Sequence, residues 1–399
     1  MNILVAPSGY KECLEADRVA AAIARGVAKV GAAVDVRYLP LVDGGEGFAA
    51  GMAAATQGRV HTVLVSGPLG QQVEAQLGEI GNTDGPVFVV ELAQAAGLRL
   101  VPPDARDPMR TTTRGVGELI LAALDRGAKR IIVGCGDSGT NDGGAGMAQA
   151  LGCRLLDSRG EDIGPGANGL LDLAAIDLSQ RDTRLSGVSI EVALNITTML
   201  CGPRGVARVF GPQKGADAGT ITLMERALEN YAAIVERDVG IAVADLPGGG
   251  ASGGVGTGLA ALLGAELRSR YDVVLPHFDL ETHLRWADLV LTAEGGLDLQ
   301  TPQGKIPVEV ARRAKAFGLP VIALAGQVDA AARVVYDYGI DAYFSTTVRP
   351  STLISAMAEA EETLANTAEN VVRAFLLGSD YGRKSAAATN PEKPAARAE

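Results

Sequence analysis

The spacing of apolar residues along the chain changes period repeatedly, and each change marks an element. Asn2-Ile-Leu-Val-Ala-Pro7 is a continuous apolar run and predicts a buried first strand. From Ala16 to Val30 apolar residues recur at helical spacing; Val34 to Leu41 favours a strand again, and Gly47 to Thr56 a helix. Arg59 to Gly70, Val73 to Ile80 and Val87 to Leu92 then form shorter β runs split by Gly-Pro and Gly-Asn-Thr-Asp-Gly turn signals, the pattern of a more antiparallel region.

The α/β rhythm resumes with a helix over Thr113 to Arg126, a strand over Arg130 to Val133, a glycine-rich loop and a helix from Gly143 to Leu151. Further on, the spacing predicts a strand over Val188 to Ile196, a long helix over Ala218 to Val239 and a glycine-rich helix over Ser252 to Leu263. The last third reads as strands over Ala287 to Thr292, Val321 to Ala325 and Ala342 to Ser345, with helices over Pro307 to Phe317 and Leu353 to Leu376. Regular α/β units at both ends around a mixed middle predict one α/β domain built from residues 1–60 and 271–378, with a mixed-sheet α/β domain, 61–270, inserted in it. Residues 379–399 lose periodicity and are expected to be a flexible tail.

Composition narrows the function classes. The 399 residues include 51 glycines and carry only 4% aromatics, which suits closely packed helices and tight strand-to-helix turns. A formal net charge of −11 argues against nucleic acid or an anionic membrane surface as partner, so an anionic ligand must meet local cations or a metal. Cys13, Cys135, Cys153 and Cys201 lack CxxC spacing, and no export signal or membrane span is apparent, so a reducing cytoplasm is the expected compartment.

The candidate chemistry lies in strand-end loops. Gly134-Cys-Gly-Asp-Ser-Gly139 follows a strand and matches GxGxxG, with Asp157 at the end of a later apolar run, which opens a dinucleotide-binding reading. Against it, Asn141 and Asp142 occupy the helix start beside Asp137, so a bare diphosphate would face carboxylates; with Mg²⁺ between them the arrangement becomes favourable. Capping of the helix by Asn141 or Asp142 is the alternative that requires no ligand. Pro40-Leu-Val-Asp-Gly-Gly-Glu-Gly47, Ala293-Glu-Gly-Gly-Leu-Asp298 and Gly248 to Gly258 share the same acidic or glycine-rich character, and Lys11, Lys214 and Lys305 supply cations. Cations for the transferring phosphate, carboxylates for Mg²⁺ and a proton acceptor are the requirements of phosphoryl transfer. No GxxxxGK[ST] loop and no GxSxG elbow is present. His61, His277 and His283 lack metal-ligand spacing, and Cys135 reads as a packed thiol.

In order and spacing, Ala6-Pro with Tyr10-Lys11-Glu12, Asp43-Gly-Gly-Glu-Gly47, Thr111-Thr-Thr with Gly117-Glu118-Leu, Gly139-Thr-Asn-Asp-Gly-Gly-Ala-Gly-Met147, Phe210-Gly-Pro-Gln-Lys-Gly215, Glu294-Gly with Leu297-Asp298, Gly304-Lys305 and Ala323-Leu-Ala-Gly326 make the chain resemble the bacterial two-domain glycerate kinase family from Asn2 to about Leu376. The resemblance implies two α/β domains, one flavodoxin-like with a parallel sheet, and ATP- and Mg²⁺-dependent phosphorylation of a hydroxyl of D-glycerate. Carried onto this sequence, it sets Lys11, Asp43, Asp142, Asn195 and Asp298 as candidates for the chemistry. Ser8, Tyr10, Asp137, Ser138, Thr140, Asn141 and Gly296 become candidates for holding the acceptor. Gly44, Glu46, Lys214, Gly254, Gly256 and Lys305 are expected at ATP, and Asp142, Glu294 and Asp298 at the metal. Thr111 to Thr113 are expected to cap the following helix. A homodimer is left open.

Four stretches depart from the family pattern: Ser8 stands where members carry Asp, Asp137 appears in the glycine loop, Asn195 replaces an Asp, and Gly296 replaces an Arg. An amide cannot take a proton, so Asn195 places the base elsewhere, and loss of an Arg removes a bidentate carboxylate grip. These changes suggest an acceptor site retuned to a small polyol such as a cyclitol or sugar derivative. A nucleotide- or polyol-binding sensor without turnover and an NAD(P)-dependent oxidoreductase are the rival readings.

Overall fold

The computed structural model of the chain describes residues 1–10, 13–31 and 34–389. In chain order its strands are β1 (Asn2–Val5), β2 (Asp35–Tyr38), β3 (Arg59–Ser66), β4 (Gln72–Glu79), β5 (Val87–Glu91), β6 (Arg130–Gly134), β7 (Arg154–Asp157), β8 (Leu173–Asp177), β9 (Ser189–Leu194), β10 (Glu266–Ser269), β11 (Leu289–Leu297), β12 (Val321–Val328) and β13 (Ala342–Ser345). They fall into two units, one of Met1–Leu41 with Leu280–Glu399, the other of Val42–Asp279.

The unit built from both termini holds a five-stranded sheet in the order β13-β12-β11-β1-β2, parallel throughout. Counted within the unit this is 2-1-3-4-5, the flavodoxin-like order that the resemblance implies. Ile3, Leu4, Val5 and Leu289 to Leu291 are fully buried, which is why these strands are apolar at every position. The helices Ala16–Ala28 and Ala360–Thr389 pack together beside the sheet. A side chain at Gly26 would stand 2.0 Å from the Ala365 carbonyl oxygen, so only glycine lets these two backbones approach so closely. The long helix continues to Thr389, past Gly378, where the sequence pattern loses its period.

The other unit is built on a mixed sheet in the order β10-β9-β6-β5-β4-β3. β3, β4 and β5 pair antiparallel, whereas β5, β6, β9 and β10 run parallel, so four C-terminal strand ends share one edge. Helix Phe48–Ala55 belongs here, with the Ala49 carbonyl closely approaching Gly78 of β4. The chain therefore crosses between units at Leu41/Val42, upstream of the boundary expected at residue 60.

Several elements escape periodicity. β10 is the short, half-polar edge run Glu-Leu-Arg-Ser, and β7 pairs antiparallel with β8 in a separate two-stranded sheet that the sequence pattern does not signal. The segment expected as a regular helix from Ser252 begins instead with Ser252, Gly253 and Gly254 at φ of 53°, 74° and 91°, and a π-helical turn spans Gly258–Leu262. Gly253 and Gly254 lie against the backbone of Thr140 to Gly143, and a regular helix would collide with that loop.

Candidate active site

The four parallel strand ends of the middle unit each deliver a polar group to one edge: Glu91 from β5, Cys135 to Asp142 from β6, Asn195 from β9 and Arg270 from β10. The Asp43–Gly47 segment runs across these ends. Gly44 sits against the Ala193 carbonyl and the backbone of Gly134 and Cys135, with φ of +93°. A side chain at Gly45 would stand 2.3 Å from Asp137 Oδ2, while the Glu46 amide donates to that same oxygen at 3.1 Å. The glycines of the Asp-Gly-Gly-Glu motif thus let two acidic loops stack backbone to side chain.

Stacked carboxylates repel, and Arg270 offsets the charge. Its Nη1 donates to Asp43 Oδ2 at 2.7 Å and to the Asp43 carbonyl at 3.4 Å. Burial works against the guanidinium charge, but the fields of Asp43, Tyr271 and Asp137 raise its pKa regardless. Arg99 lies 3.8 Å from the Glu46 carboxylate. Glu91 is fully buried and accepts from the Gly47 and Ala49 amides at the start of helix Phe48–Ala55; burial pushes its carboxyl up to about 7.

Asp137 takes a left-handed backbone, φ 49°, which Asp tolerates better than most residues. Its carbonyl accepts from Leu98, and Gly139 donates to Ala96, so the loop is stitched to the turn after β5. Asp142 is fully buried and accepts four bonds: from the Thr113 amide at 2.8 Å, the Thr113 hydroxyl at 2.9 Å, Gly144 at 3.1 Å and Gly146 at 3.2 Å. This geometry joins the starts of two helices and occupies the lone pairs of Asp142 with protein donors. Burial nonetheless raises its pKa. Of the threonines, Thr112 accepts the Arg114 amide at the start of the following helix at 3.2 Å, while Thr111 donates to the Gly139 carbonyl and Thr113 Oγ1 accepts the Met147 amide.

Lys214 is only 2% exposed and extends inward, donating to Ser138 Oγ at 2.9 Å and to the Thr140 carbonyl at 2.6 Å. Burial lowers its pKa to about 7, opposed in part by Asp142. Thr140 Oγ1 and both amide atoms of Asn141 are buried without a hydrogen-bond partner. Asn195 turns its Oδ1 to the amide and hydroxyl of Thr197. Gly254 donates to the Gly250 carbonyl, and a side chain at Gly256 would meet the Gly248 carbonyl at 2.2 Å, so both glycines are accounted for by packing. Cys135 is a buried thiol whose pKa burial pushes up to about 12. Asp157 ends β7, outside the six-stranded sheet, so the acid of a dinucleotide fingerprint does not stand at the strand beside β6.

In the unit built from both termini, the remaining candidates gather where the strand order reverses between β1 and β11, the position at which open α/β sheets bind ligands. Ser8 Oγ donates to Glu294 Oε2 at 2.8 Å and to the Ala293 carbonyl at 2.9 Å. Tyr10 is buried, with its hydroxyl on the Leu324 carbonyl at 3.3 Å, and burial raises its pKa. Gly296 opens to free space apart from the Gln327 carbonyl, 4.0 Å from where a side chain would begin. Lys305 donates to the Gly296 carbonyl at 3.1 Å and to Asp298 Oδ2 at 3.2 Å, at the start of helix Ile306–Lys315. Burial pushes the Asp298 carboxyl up, but Lys305 together with the bonds from Gln300 and Thr301 turns the net shift downward. Lys11 lies outside the described residues.

Among the described residues, no three His, Cys, Asp or Glu side chains converge to hold a metal ion. The half-buried oxygens of Glu294 and Asp298 still suit Mg²⁺ when phosphate supplies the other ligands, because that ion commonly needs only one or two carboxylates.

A sequence model of the glycerate kinase family matches residues 3–376. The chain belongs to the glycerate kinase family. It is 46% identical to a glycerate kinase of Bacillus subtilis (strain 168) over 377 residues, covering 94% of this chain and 98% of that one. Glycerate 2-kinase of Escherichia coli (strain K12) is 44% identical over 378 residues, 95% and 99% of the two chains. A crystal structure assigned as glycerate kinase 2 from Salmonella typhimurium LT2 matches with a TM-score of 0.80 and 46% identity, covering 95% of this chain and 99% of that one. Membership makes the protein a phosphotransferase with an alcohol group as acceptor. No helix among the described residues is long and apolar enough to cross a membrane.

Two residues of the strand-end edge have no signal in the sequence. Arg270 is one of two arginines at the end of a short polar strand, and Glu91 ends an apolar run like many strand-terminal acids. Only the register of β10 and β5 against their neighbours brings them to the acidic loops.

Proposed function

We propose that this glycerate kinase family member transfers the γ-phosphoryl group of ATP, with Mg²⁺, to a hydroxyl of D-glycerate. What carries the reading is near-full-length identity of 46% to a protein named glycerate kinase, in a chain whose acidic strand-end loops are stacked and charge-compensated by Arg270. The name of the Escherichia coli relative supports the 2-hydroxyl as the position phosphorylated. The cyclitol-type acceptor, the sensor and the oxidoreductase gain no comparable support.

In this reading Mg²⁺, when bound, would supply neutralisation of phosphate charge. Glu294 and Asp298 would hold it, with Lys305 and the start of helix Ile306–Lys315 favouring phosphate in a protein that is otherwise acidic. In the middle unit, Asp137 and Ser138 offer hydrogen-bonding groups to the acceptor's hydroxyls, and Arg270 orients Asp43 through its 2.7 Å bond. The departures at Ser8 and Gly296 have local replacements. Ser8 keeps a bond to Glu294, and Lys305 donates to the Gly296 carbonyl.

The test is ADP release over a panel of acceptors with product identification. D-glycerate should be the best substrate and yield 2-phosphoglycerate; a cyclitol or sugar turned over faster would replace glycerate as the acceptor.

A further inference from the structure

The candidate carboxylates of the middle unit are already committed. Asp43 is paired to Arg270 at 2.7 Å, and Asp142 is saturated by four donors. Asp137 Oδ2 accepts the Glu46 amide, and Asn195 carries no carboxylate. Each of these carboxylates therefore has lone pairs already taken up by protein donors. Lys214 is in a different situation: its ammonium is buried and donates to a hydroxyl and a carbonyl, and among the described residues it forms no ion pair. A charge in such a place is destabilised relative to the neutral amine.

Ser138 stands between this amine and the acidic loop surface. It adjoins Asp137, its backbone pairs with Gly97, and it retains 7% of its surface. Its hydroxyl can therefore bond Lys214 on one side and a ligand hydroxyl on the other, as a rigidly held single-proton bridge. The charge that acts on Lys214 is that of Asp142, from the loop that also carries Ser138; nearby in the chain or fold, Tyr231 of helix Ala218–Val239 packs its ring against Gly143 and Arg106 reaches the Gln213 carbonyl.

We propose that Ser138 and Lys214 form the proton relay of the phosphoryl transfer, Ser138 taking the proton of the acceptor hydroxyl as it passes its own to the neutral Nζ of Lys214. This rests on the reading that the Gly136–Asp142 loop faces the acceptor. As the acceptor oxygen bonds to the γ-phosphorus, the bond from that phosphorus to the ADP oxygen breaks. The acceptor's proton moves to Ser138 Oγ, the Ser138 proton moves to Lys214, and the resulting ammonium later returns its proton to solvent. Ser138 touches substrate; Lys214 acts only through it. Lys214 must be neutral at the start, and its buried amine titrates at about 7, so kcat should rise with pH through that value.

The experiment measures pH profiles of kcat for wild type, Ser138→Ala, Ser138→Thr and Lys214→Gln, together with the ¹³Cε NMR titration of Lys214, which does not depend on turnover. Wild type should show an acid limb near pH 7 that coincides with the Lys214 titration. Ser138→Ala should lose about a hundredfold or more in kcat while folding normally and keeping the titration. Ser138→Thr should recover part of the loss. Lys214→Gln should lose the limb, and the double variant should fall no further than either single one. Ser138→Ala within about threefold of wild type, or a limb that persists in Lys214→Gln, overturns the relay while leaving the acceptor reading intact. Wild type inert towards D-glycerate overturns the acceptor reading, and the relay with it.

Discussion

Asp142 and Arg270 show how far a residue's role departs from its type. A buried aspartate in a glycine loop reads as a metal ligand, yet Asp142 is consumed by the two helix starts that it ties together. Asp142→Asn replaces one acceptor oxygen by a donor facing N–H groups and should destabilise the fold by about 2 kcal/mol or more in chemical denaturation. Arg270→Met leaves Asp43 without its partner and should lower kcat/KM at least tenfold with the fold retained; Arg270→Lys should recover only part of it, because an ammonium lacks the guanidinium's fixed fork. Glu91 gives a pH test. Its folded pKa of about 7 lies above the ordinary 4.5, so the folded state binds the extra proton and this group's contribution to stability falls as pH rises from about 4.5 to 7. Glu91→Gln should lack that part of the slope in denaturation series across this range. The acidic motif residues were legible because their loops carry glycine at set spacing. Arg270 and Glu91 were not, since strand register alone gives them meaning.

At the level of elements, hydrophobic period located the buried strands and the long helices well, because their apolar faces point into cores. It missed β10, an edge run too short and polar to show a period, and the antiparallel pair β7–β8, whose strands are half-buried. It also extended a regular helix through Ser252 to Gly254, where the approach of Thr140 and Gly143 forces left-handed backbone that no apolar pattern encodes. The glycines that matter are those at close backbone approaches. Gly26→Ala would place a methyl 2.0 Å from the Ala365 carbonyl, forcing the helices Ala16–Ala28 and Ala360–Thr389 apart; the expected loss is about 1–3 kcal/mol, read as a lowered denaturation midpoint.

For the whole molecule, the resemblance and the fold agree. The flavodoxin-like order of the sheet made from both termini follows the α/β rhythm of the sequence ends, and the family is the one its motifs indicate. The crossing at Leu41/Val42 was harder to see, because β2 and helix Phe48–Ala55 continue the same α/β rhythm while packing in different units. The central claim concerns catalysis, and one measurement tests it most directly: ADP release by the purified protein with D-glycerate and MgATP, alongside phosphoglycerate formation. The account predicts one ADP per phosphoglycerate, with turnover abolished by chelation of Mg²⁺. ADP release that does not depend on D-glycerate, or none with D-glycerate present, would contradict it.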